Sequence, residues 1–92
     1  MAITIGSTTF DQVFYDADVD ALHLHRGDPS IAVDFDESPD GHALRFDVHG
    51  DLVGVTIVGA KRLIEADGEI KITLPEIVRL DPDTVAPALI GA

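Results

Sequence analysis

The chain has 92 residues, of which 46% are hydrophobic and 25% are charged, and this size and mix predict one small domain over residues 1–92. Six basic residues against seventeen acidic ones give a formal net charge of −11. That charge argues against nucleic acid, whose phosphates need Lys and Arg, and against anionic membrane surfaces. Cysteine is absent, which excludes disulfides, thiolate metal sites and cysteine nucleophiles.

Neither a secretory signal nor a membrane span is expected from the sequence. The first five residues, MAITI, contain no basic start and no apolar stretch of about 7–15 residues. The longest uncharged apolar run, from Leu52 to Ala60, is shorter than the roughly 20 residues that cross a bilayer. We therefore expect a cytoplasmic protein.

The first third of the chain predicts short strands separated by turns. A first strand is indicated around residues 3–5, and residues 10–15 are rich in side chains that favour strands. The acidic run at residues 16–20 has the polar character of a turn. Residues 21–26 alternate, so that two leucines lie on one face of a strand and two histidines on the other.

The middle of the chain predicts three further strands. Alternation at residues 31–36 predicts a half-buried strand whose buried face carries Ile31, Val33 and Phe35. Turns are indicated at residues 38–41 and around Gly50. Between them, one strand face is predicted to carry His42, Leu44, Phe46 and Val48, and the opposite face Ala43, Arg45 and Asp47.

The strand predicted at residues 52–58 is apolar on both faces, which places it centrally or under a helix. Gly54 inside this strand indicates a bulge or the close approach of another backbone, such as that of a second copy. Residues 60–66 predict a short helix, and residues 69–74 a strand that Pro75 ends or interrupts. Asp81 and Pro82 have the form of a helix start, with Pro87 limiting that helix to one or two turns.

The short gaps between these strands favour hairpins over parallel crossovers, which need a dozen or more residues. We therefore predict an α+β, β-rich fold. Its architecture is an antiparallel β-meander of four to six strands with one or two short helices toward the C-terminus.

Two runs within residues 15–60, YDADVDAL at residues 15–22 and DVHGDLVGVTI at residues 47–57, give the chain a family resemblance. In this order they resemble domain of unknown function 2283, a family of short bacterial proteins. The resemblance implies a small β-rich fold and no established reaction, and some members look like partners of small toxin-like proteins. The chain departs from the family pattern at His23, His25 and Thr56.

The aspartates at positions 16, 18 and 20 resemble the opening of a calcium loop. Such a loop requires Gly at its sixth position and Glu at its twelfth, where this chain has Ala21 and Gly27. A solvated turn is therefore the favoured interpretation.

The histidines of the strand at residues 21–26 form the candidate metal site. His23 and His25 are two residues apart, so their rings share one strand face. With a carboxylate such as Asp47 or Asp34 they would offer ligands suited to zinc. The competing interpretation is a solvated strand face, and no cofactor is expected.

No nucleophile elbow or phosphate-binding loop is present, so we expect no enzymatic activity. The leading hypothesis is a non-catalytic protein-interaction domain, and its sharpest version is an antitoxin-like partner of a small basic protein. The exposed edges of so small a sheet also predict a homodimer. The alternative is a small metal- or ligand-binding protein that uses the strand bearing His23 and His25.

Overall fold

In the computed structural model the described residues are 1–74 and 77–90, so the predicted strand end at Pro75 lies outside them. The fold is α+β and β-rich, as the sequence predicts. Its strands are β1 (Ile3–Ile5), β2 (Thr8–Phe10), β3 (Gln12–Asp16), β4 (Ala21–His25), β5 (Asp34–Glu37), β6 (Ala43–Phe46), β7 (Leu52–Val58), β8 (Ile70–Thr73) and β9 (Ile77–Leu80). The helices are α1 (Ala60–Asp67) and α2 (Pro82–Ile90), and a 3₁₀ turn spans Pro29–Ile31. Neither helix is long and apolar enough to cross a membrane within the described ranges.

A five-stranded antiparallel sheet in the order β3-β4-β7-β6-β5 forms the centre of the structure. The most apolar strand, β7, occupies the middle, as predicted. Neighbouring strands are consecutive in the chain except for β4 and β7. Strand β7 lies between β4 and the β5–β6 hairpin, so β4 pairs with β7 and β6 pairs with the other side of β7. Two hairpins, β1–β2 and β8–β9, form separate two-stranded sheets.

One face of the five-stranded sheet forms the hydrophobic core together with the two hairpins and the two helices. Alternate residues of the sheet strands point to this side because successive side chains of a strand point in opposite directions. The buried cluster includes Ile3, Ile5, Phe10, Tyr15, Leu22, Leu24, Leu44, Val55, Ile57, Ala60, Ile70, Ile72, Leu80, Val85 and Ala88. All the large apolar side chains of the core are aliphatic except Phe10 and Tyr15, in keeping with the composition.

The start of α1 is held by a carboxylate from the distant β3–β4 turn. Its cap residue, Gly59, has a φ of 74° and supplies no side-chain hydrogen bond. Instead, the two carboxylate oxygens of Asp20 accept hydrogen bonds from the backbone N–H groups of Lys61 (2.8 Å) and Arg62 (3.1 Å). These N–H groups have no partner inside the helix, so Asp20 serves as its cap.

The Tyr15 hydroxyl adds a third hydrogen bond to Asp20, donating to Oδ1 at 2.6 Å. The negative charge of Asp20 makes this proton hard to remove and, with burial, raises the pKa of Tyr15 to about 12. Burial alone would raise the pKa of Asp20, but the bonds from Tyr15, Lys61 and Arg62 lower it below its usual value. The acidic turn is therefore more than a solvated loop, because Asp20 joins β3 to α1.

The prediction of a buried face on β5 is wrong. Phe35 pairs with Arg45 and is 68% exposed, whereas Asp36 pairs with Leu44 and lies on the core side. The alternation was correct, but β5 is an edge strand with few core neighbours, so the pairing with β6 decides which face turns outward. Ile31 and Val33 also stay exposed, in the 3₁₀ turn and the link to β5.

Three smaller predictions also need correction. Val48 is 77% exposed, because the chain leaves β6 at Phe46 and residues 47–50 form the turn. Strand β9 (Ile77–Leu80) has no counterpart among the predicted strands. The last helix is longer than predicted, since Pro87 removes only the hydrogen bond to the Asp83 carbonyl while Val85 and Ala88 anchor α2 in the core.

Candidate functional site

The second face of the five-stranded sheet, here called the open face, is built from two rows of side chains that cross all five strands. Because directly paired residues of antiparallel strands lie on the same side of a sheet, the pairing defines both rows. The first row is Gln12, His25, Gly54, Arg45 and Phe35, and the second is Phe14, His23, Thr56, Ala43 and Glu37. Val58, two residues after Thr56 on β7, lies on the same face.

Large apolar side chains of the open face remain in contact with solvent. Phe14 is 63% exposed, Phe35 is 68% exposed and Val58 is 49% exposed. Phe14 stacks on the ring of His23, with centroids 6.0 Å apart and ring planes 20° from parallel. The stack places two aromatic rings side by side next to the centre of the sheet.

Arg45 occupies the centre of the open face, where its guanidinium lies against the backbone of Gly54. A Cβ at position 54 would stand 2.5 Å from Nε of Arg45, 3.0 Å from its Nη2 and 3.0 Å from Cδ2 of His25. A contact as short as 2.5 Å essentially never occurs at a real Cβ, so the guanidinium can occupy this position only because residue 54 is glycine. The bulge expected at Gly54 is also present, since the register shifts between Arg45 and Phe46.

Thr56 joins Arg45 to His23. The Nη1 group of Arg45 donates to Oγ1 of Thr56 at 3.0 Å, and Nδ1 of His23 lies 3.0 Å from the same oxygen. A guanidinium can only donate, so the Thr56 hydroxyl accepts from Arg45, and a second hydrogen bond joins the same hydroxyl to Nδ1 of His23. The chain of hydrogen bonds runs from β6 across β7 to β4 and fixes the orientation of all three side chains.

The positive charge of Arg45 is half-buried and has no acidic partner among the residues that the structure describes. The one ion pair formed by residues 1–74 and 77–90 joins Arg79 to Glu69, at the exposed surface of the β8–β9 hairpin. Burial lowers the pKa of Arg45 below its ordinary value, because the charged form loses water contact. Within the described ranges, the Thr56 hydroxyl is the one side-chain acceptor that the guanidinium of Arg45 reaches.

His25 is the cross-strand neighbour of Gly54 on β4. Its Nδ1 is 3.3 Å from the carbonyl oxygen of Gly27, which can only accept, so Nδ1 is the donor. Its Nε2 is buried, and within the described part of the chain it has no hydrogen-bond partner. The centre of the open face thus combines one guanidinium with two imidazoles.

The structure brings His23 and His25 to the same face, as the sequence predicts, but it places the proposed carboxylate ligands in local backbone roles. Asp47 lies in the β6–β7 turn, where Oδ1 accepts from the N–H groups of His49 (2.8 Å) and Asp51 (3.0 Å). The bond from Asp51 and then that from His49 hold the pKa of Asp47 below its usual value. Asp34 accepts from the N–H of Phe35 at 3.0 Å. Over the described ranges, no three His, Asp or Glu side chains gather closely enough to hold a metal ion.

Acidic residues flank the open face at both edges of the sheet. Asp16 ends β3 at one edge, and Glu37 ends β5 at the other. Asp34 and Asp36 lie on β5 as well, so this edge strand has the sequence DFDE. The resulting pattern is an apolar and cationic centre between two acidic margins.

The sequence analysis placed Arg45 on the strand face opposite Leu44 but gave it no role. Its importance depends on the register that sets it against Gly54 and beside Thr56, eleven residues further along the chain. The glycine inside an apolar strand was the one sequence signal of a close approach. The neighbour that fills the space is a side chain of the same molecule.

Comparison with known proteins gives one match. The family model described as "Protein of unknown function (DUF2283)" matches residues 12–61, more than half of the chain. No curated protein and no solved structure shows significant similarity to it. The matched segment contains the whole five-stranded sheet and the first residues of α1, and therefore both rows of the open face. The chain belongs to the DUF2283 family.

Proposed function

We propose that this member of the DUF2283 family is a non-catalytic interaction domain that binds a basic protein partner on its open face. The observation that carries the proposal is the exposure of Phe14, Phe35 and Val58 on one side of a five-stranded sheet. An apolar surface bordered by polar groups is the usual form of a protein-binding site.

Charge supports a basic partner. The chain has a net charge of −11, and Asp16 and Glu37 flank the open face on opposite sides. A partner with an apolar patch between Lys and Arg side chains would match this pattern and would be steered to it at long range. A second copy of the chain would bring its own acidic margins against these, which costs electrostatic energy. Masking of a small basic toxin is the sharpest form of the proposal.

The hydrogen bonds at the centre support a binding role over a catalytic one. Thr56 and His23 are close enough to form a hydroxyl–imidazole pair, the arrangement that activates a nucleophile in many enzymes. However, Arg45 donates into the same hydroxyl oxygen and withdraws electron density from it. This opposes nucleophilic attack by Thr56 and suits a rigid binding surface.

Affinity capture with a surface variant tests the proposal. Phe14→Ser with Phe35→Ser removes the two aromatic side chains of the open face, and both are exposed enough that the fold should persist. Val19→Ser with Val48→Ser is the matched control, because these side chains are 64% and 77% exposed in turns away from the open face. Any captured protein is then purified separately and its direct binding is measured at low and high salt.

The proposal expects a basic protein that binds the wild type and the control in a fixed ratio, more weakly as salt rises. The open-face variant should bind at least about tenfold more weakly, as expected when interface aromatic residues are truncated. Equal binding by both variants would contradict the proposal. So would a purified chain whose open face mediates only self-association.

A further inference from the structure

We propose that the centre of the open face is a carboxylate-binding site, formed by the guanidinium of Arg45 over Gly54 with Thr56, His23 and His25 beside it. The inference deepens the proposed function, on which it rests for its place in the docking face. It adds the chemical group that the face recognises at its centre.

The charge of Arg45 has no counter-ion among residues 1–74 and 77–90. Removing a cation from water is costly unless an anion or several hydrogen bonds replace the solvent. Arg45 is half-buried and donates one hydrogen bond, to the Thr56 hydroxyl. It takes no part in the only ion pair of the described residues. A negatively charged ligand would supply the missing partner.

The guanidinium of Arg45 is already held in place before any ligand binds. Gly54 leaves the space that the guanidinium occupies, and Thr56 fixes one end through Nη1. Arg45 keeps its other N–H donors for a ligand, and a guanidinium fork matches the two oxygens of a carboxylate. Orientation before binding lowers the entropy lost on binding.

The net charge of the chain and the apolar neighbours of Arg45 favour a carboxylate over a phosphate. The net charge of −11 repels a doubly charged anion more strongly than a singly charged one. Phe35 is the cross-strand neighbour of Arg45, and Phe14 stacks on His23 in the next row. These apolar neighbours suit a carboxylate attached to a hydrocarbon group. A Glu or Asp side chain of the protein partner and a free carboxylic acid are two sources of the same chemistry.

Titration with a matched pair of small molecules tests the site without knowledge of the partner. Benzoate carries a carboxylate on an aromatic ring, and benzamide has nearly the same shape without the charge. Benzoate should shift the nuclear magnetic resonance signals of Arg45, Thr56 and His25 in a saturable way. Benzamide and inorganic phosphate should each bind at least about tenfold more weakly, because they lack either the charge or the apolar group.

Substitutions locate the effect. Arg45→Gln should abolish benzoate binding, and Arg45→Lys should weaken it because a lysine lacks the planar fork. Thr56→Val, which leaves the charge but frees the guanidinium, should also weaken it. Lys61→Gln is the control, since it removes the same charge from the exposed surface of α1. Unchanged chemical shifts elsewhere confirm that each variant is folded.

Equal binding of benzoate and benzamide would overturn the inference, as would benzoate binding that survives in Arg45→Gln. Changes in resonance signals only at residues away from the open face would also overturn it. The purified protein partner shows which of the two sources supplies the carboxylate. If a side chain of the partner occupies the site, benzoate competes with partner binding and Arg45→Gln weakens partner binding. Benzoate binding without such competition assigns the site to a free acid. Failure to find any partner would refute the docking proposal and leave the titration result intact.

Discussion

Asp20 shows how much one side chain contributes when it connects distant parts of the chain. It accepts hydrogen bonds from the Tyr15 hydroxyl on β3 and from two backbone N–H groups of α1, more than forty residues away. Its own φ is 54°, a conformation that Asp tolerates better than most residues. Tyr15 and Asp20, which both belong to the run at residues 15–22 that carries the family resemblance, thus hold the sheet and the helix together.

We expect Asp20→Ala to lower the free energy of unfolding by about 2–4 kcal/mol, because it removes a helix cap and a charged hydrogen bond to a buried tyrosine. Asp18→Ala, in the same turn, is the control, since Asp18 is exposed and takes part in the turn through its backbone N–H. Urea denaturation of the three proteins measures the difference. Equal stability of the Asp20 and Asp18 variants would refute the capping role.

Gly54→Ala should separate stability from binding. The added Cβ would stand 2.5 Å from Nε of Arg45, which must move away and give up its bond to Thr56. The backbone of Gly54 has an ordinary negative φ, so alanine also reduces the entropy of the unfolded chain, and the net change in unfolding free energy should stay below about 1 kcal/mol. Denaturation and benzoate titration of the same sample check both effects. Full benzoate affinity in this variant would show that Arg45 does not need the glycine.

His42 makes the stability of the fold depend on pH. Its side chain is buried, and Nδ1 accepts a hydrogen bond from the N–H of Val58 at 3.1 Å, which requires that nitrogen to be unprotonated. Burial lowers the pKa of His42 below 6.5, although the charge of Asp40 and the Lys71 backbone oppose this. His42 lines a pocket together with four charged residues, Asp40, Asp67, Glu69 and Lys71.

Because the folded-state pKa of His42 is lowered, the unfolded chain takes up a proton more readily, and stability falls as pH drops below 6.5. The loss is complete once pH passes below the folded-state pKa. His42→Gln cannot titrate and should show a smaller loss of unfolding free energy between pH 7 and about pH 5. Identical pH profiles for the wild type and this variant would contradict the assignment.

At the scale of elements, the β5 edge is protected by its own side chains. Ser38 donates its N–H to the His42 carbonyl, which sets the phase of the β5–β6 ladder and turns the N–H groups of Phe35 and Glu37 outward. The carboxylate of Asp34 accepts from the N–H of Phe35 at 3.0 Å, and that of Asp36 accepts from the N–H of Glu37 at 2.8 Å. An edge whose donors are occupied by carboxylates is a poor template for another strand.

Asp34→Thr with Asp36→Thr should free these donors and cause self-association that increases with protein concentration. Threonine favours strands and removes two negative charges from the edge. Sedimentation velocity measures the effect, and Asp18→Thr with Asp51→Thr provides the same change of charge in exposed turns. An equal shift in both double variants would mean that net charge, and not the edge, prevents association.

The elements that the sequence predicts well are those with strong local signals. The turn at residues 38–41, the turn containing Gly50 and the helix start at Pro82 depend on neighbouring residues alone, and the structure confirms them. The outward face of β5 and the cap from Asp20 depend on pairings between distant residues. Local alternation could not predict either, because it gives the period of a strand and not the side that the sheet buries.

At the scale of the whole molecule, the sheet has one face committed to the core and one that carries exposed aromatic rings around a half-buried arginine. The antiparallel, β-rich architecture followed from apolar periodicity and short connections. The site did not, since Arg45, Gly54, Thr56 and His25 meet only through the registers of β4, β6 and β7. His23 and His25 share one strand face, as predicted. Their neighbours on that face include Arg45 and Thr56, whereas the carboxylates of the predicted metal site bind nearby backbone N–H groups.

Site-specific photo-crosslinking tests the central claim most directly. A benzoylphenylalanine at position 35 lies on the open face, and one at Ala66 lies on the exposed surface of α1. Irradiation in the cells that produce the protein should yield a crosslink from position 35 to one basic protein, which then binds the purified chain directly, and none to that protein from position 66. A crosslink to the same protein from both positions, or from position 66 alone, would contradict docking on the open face.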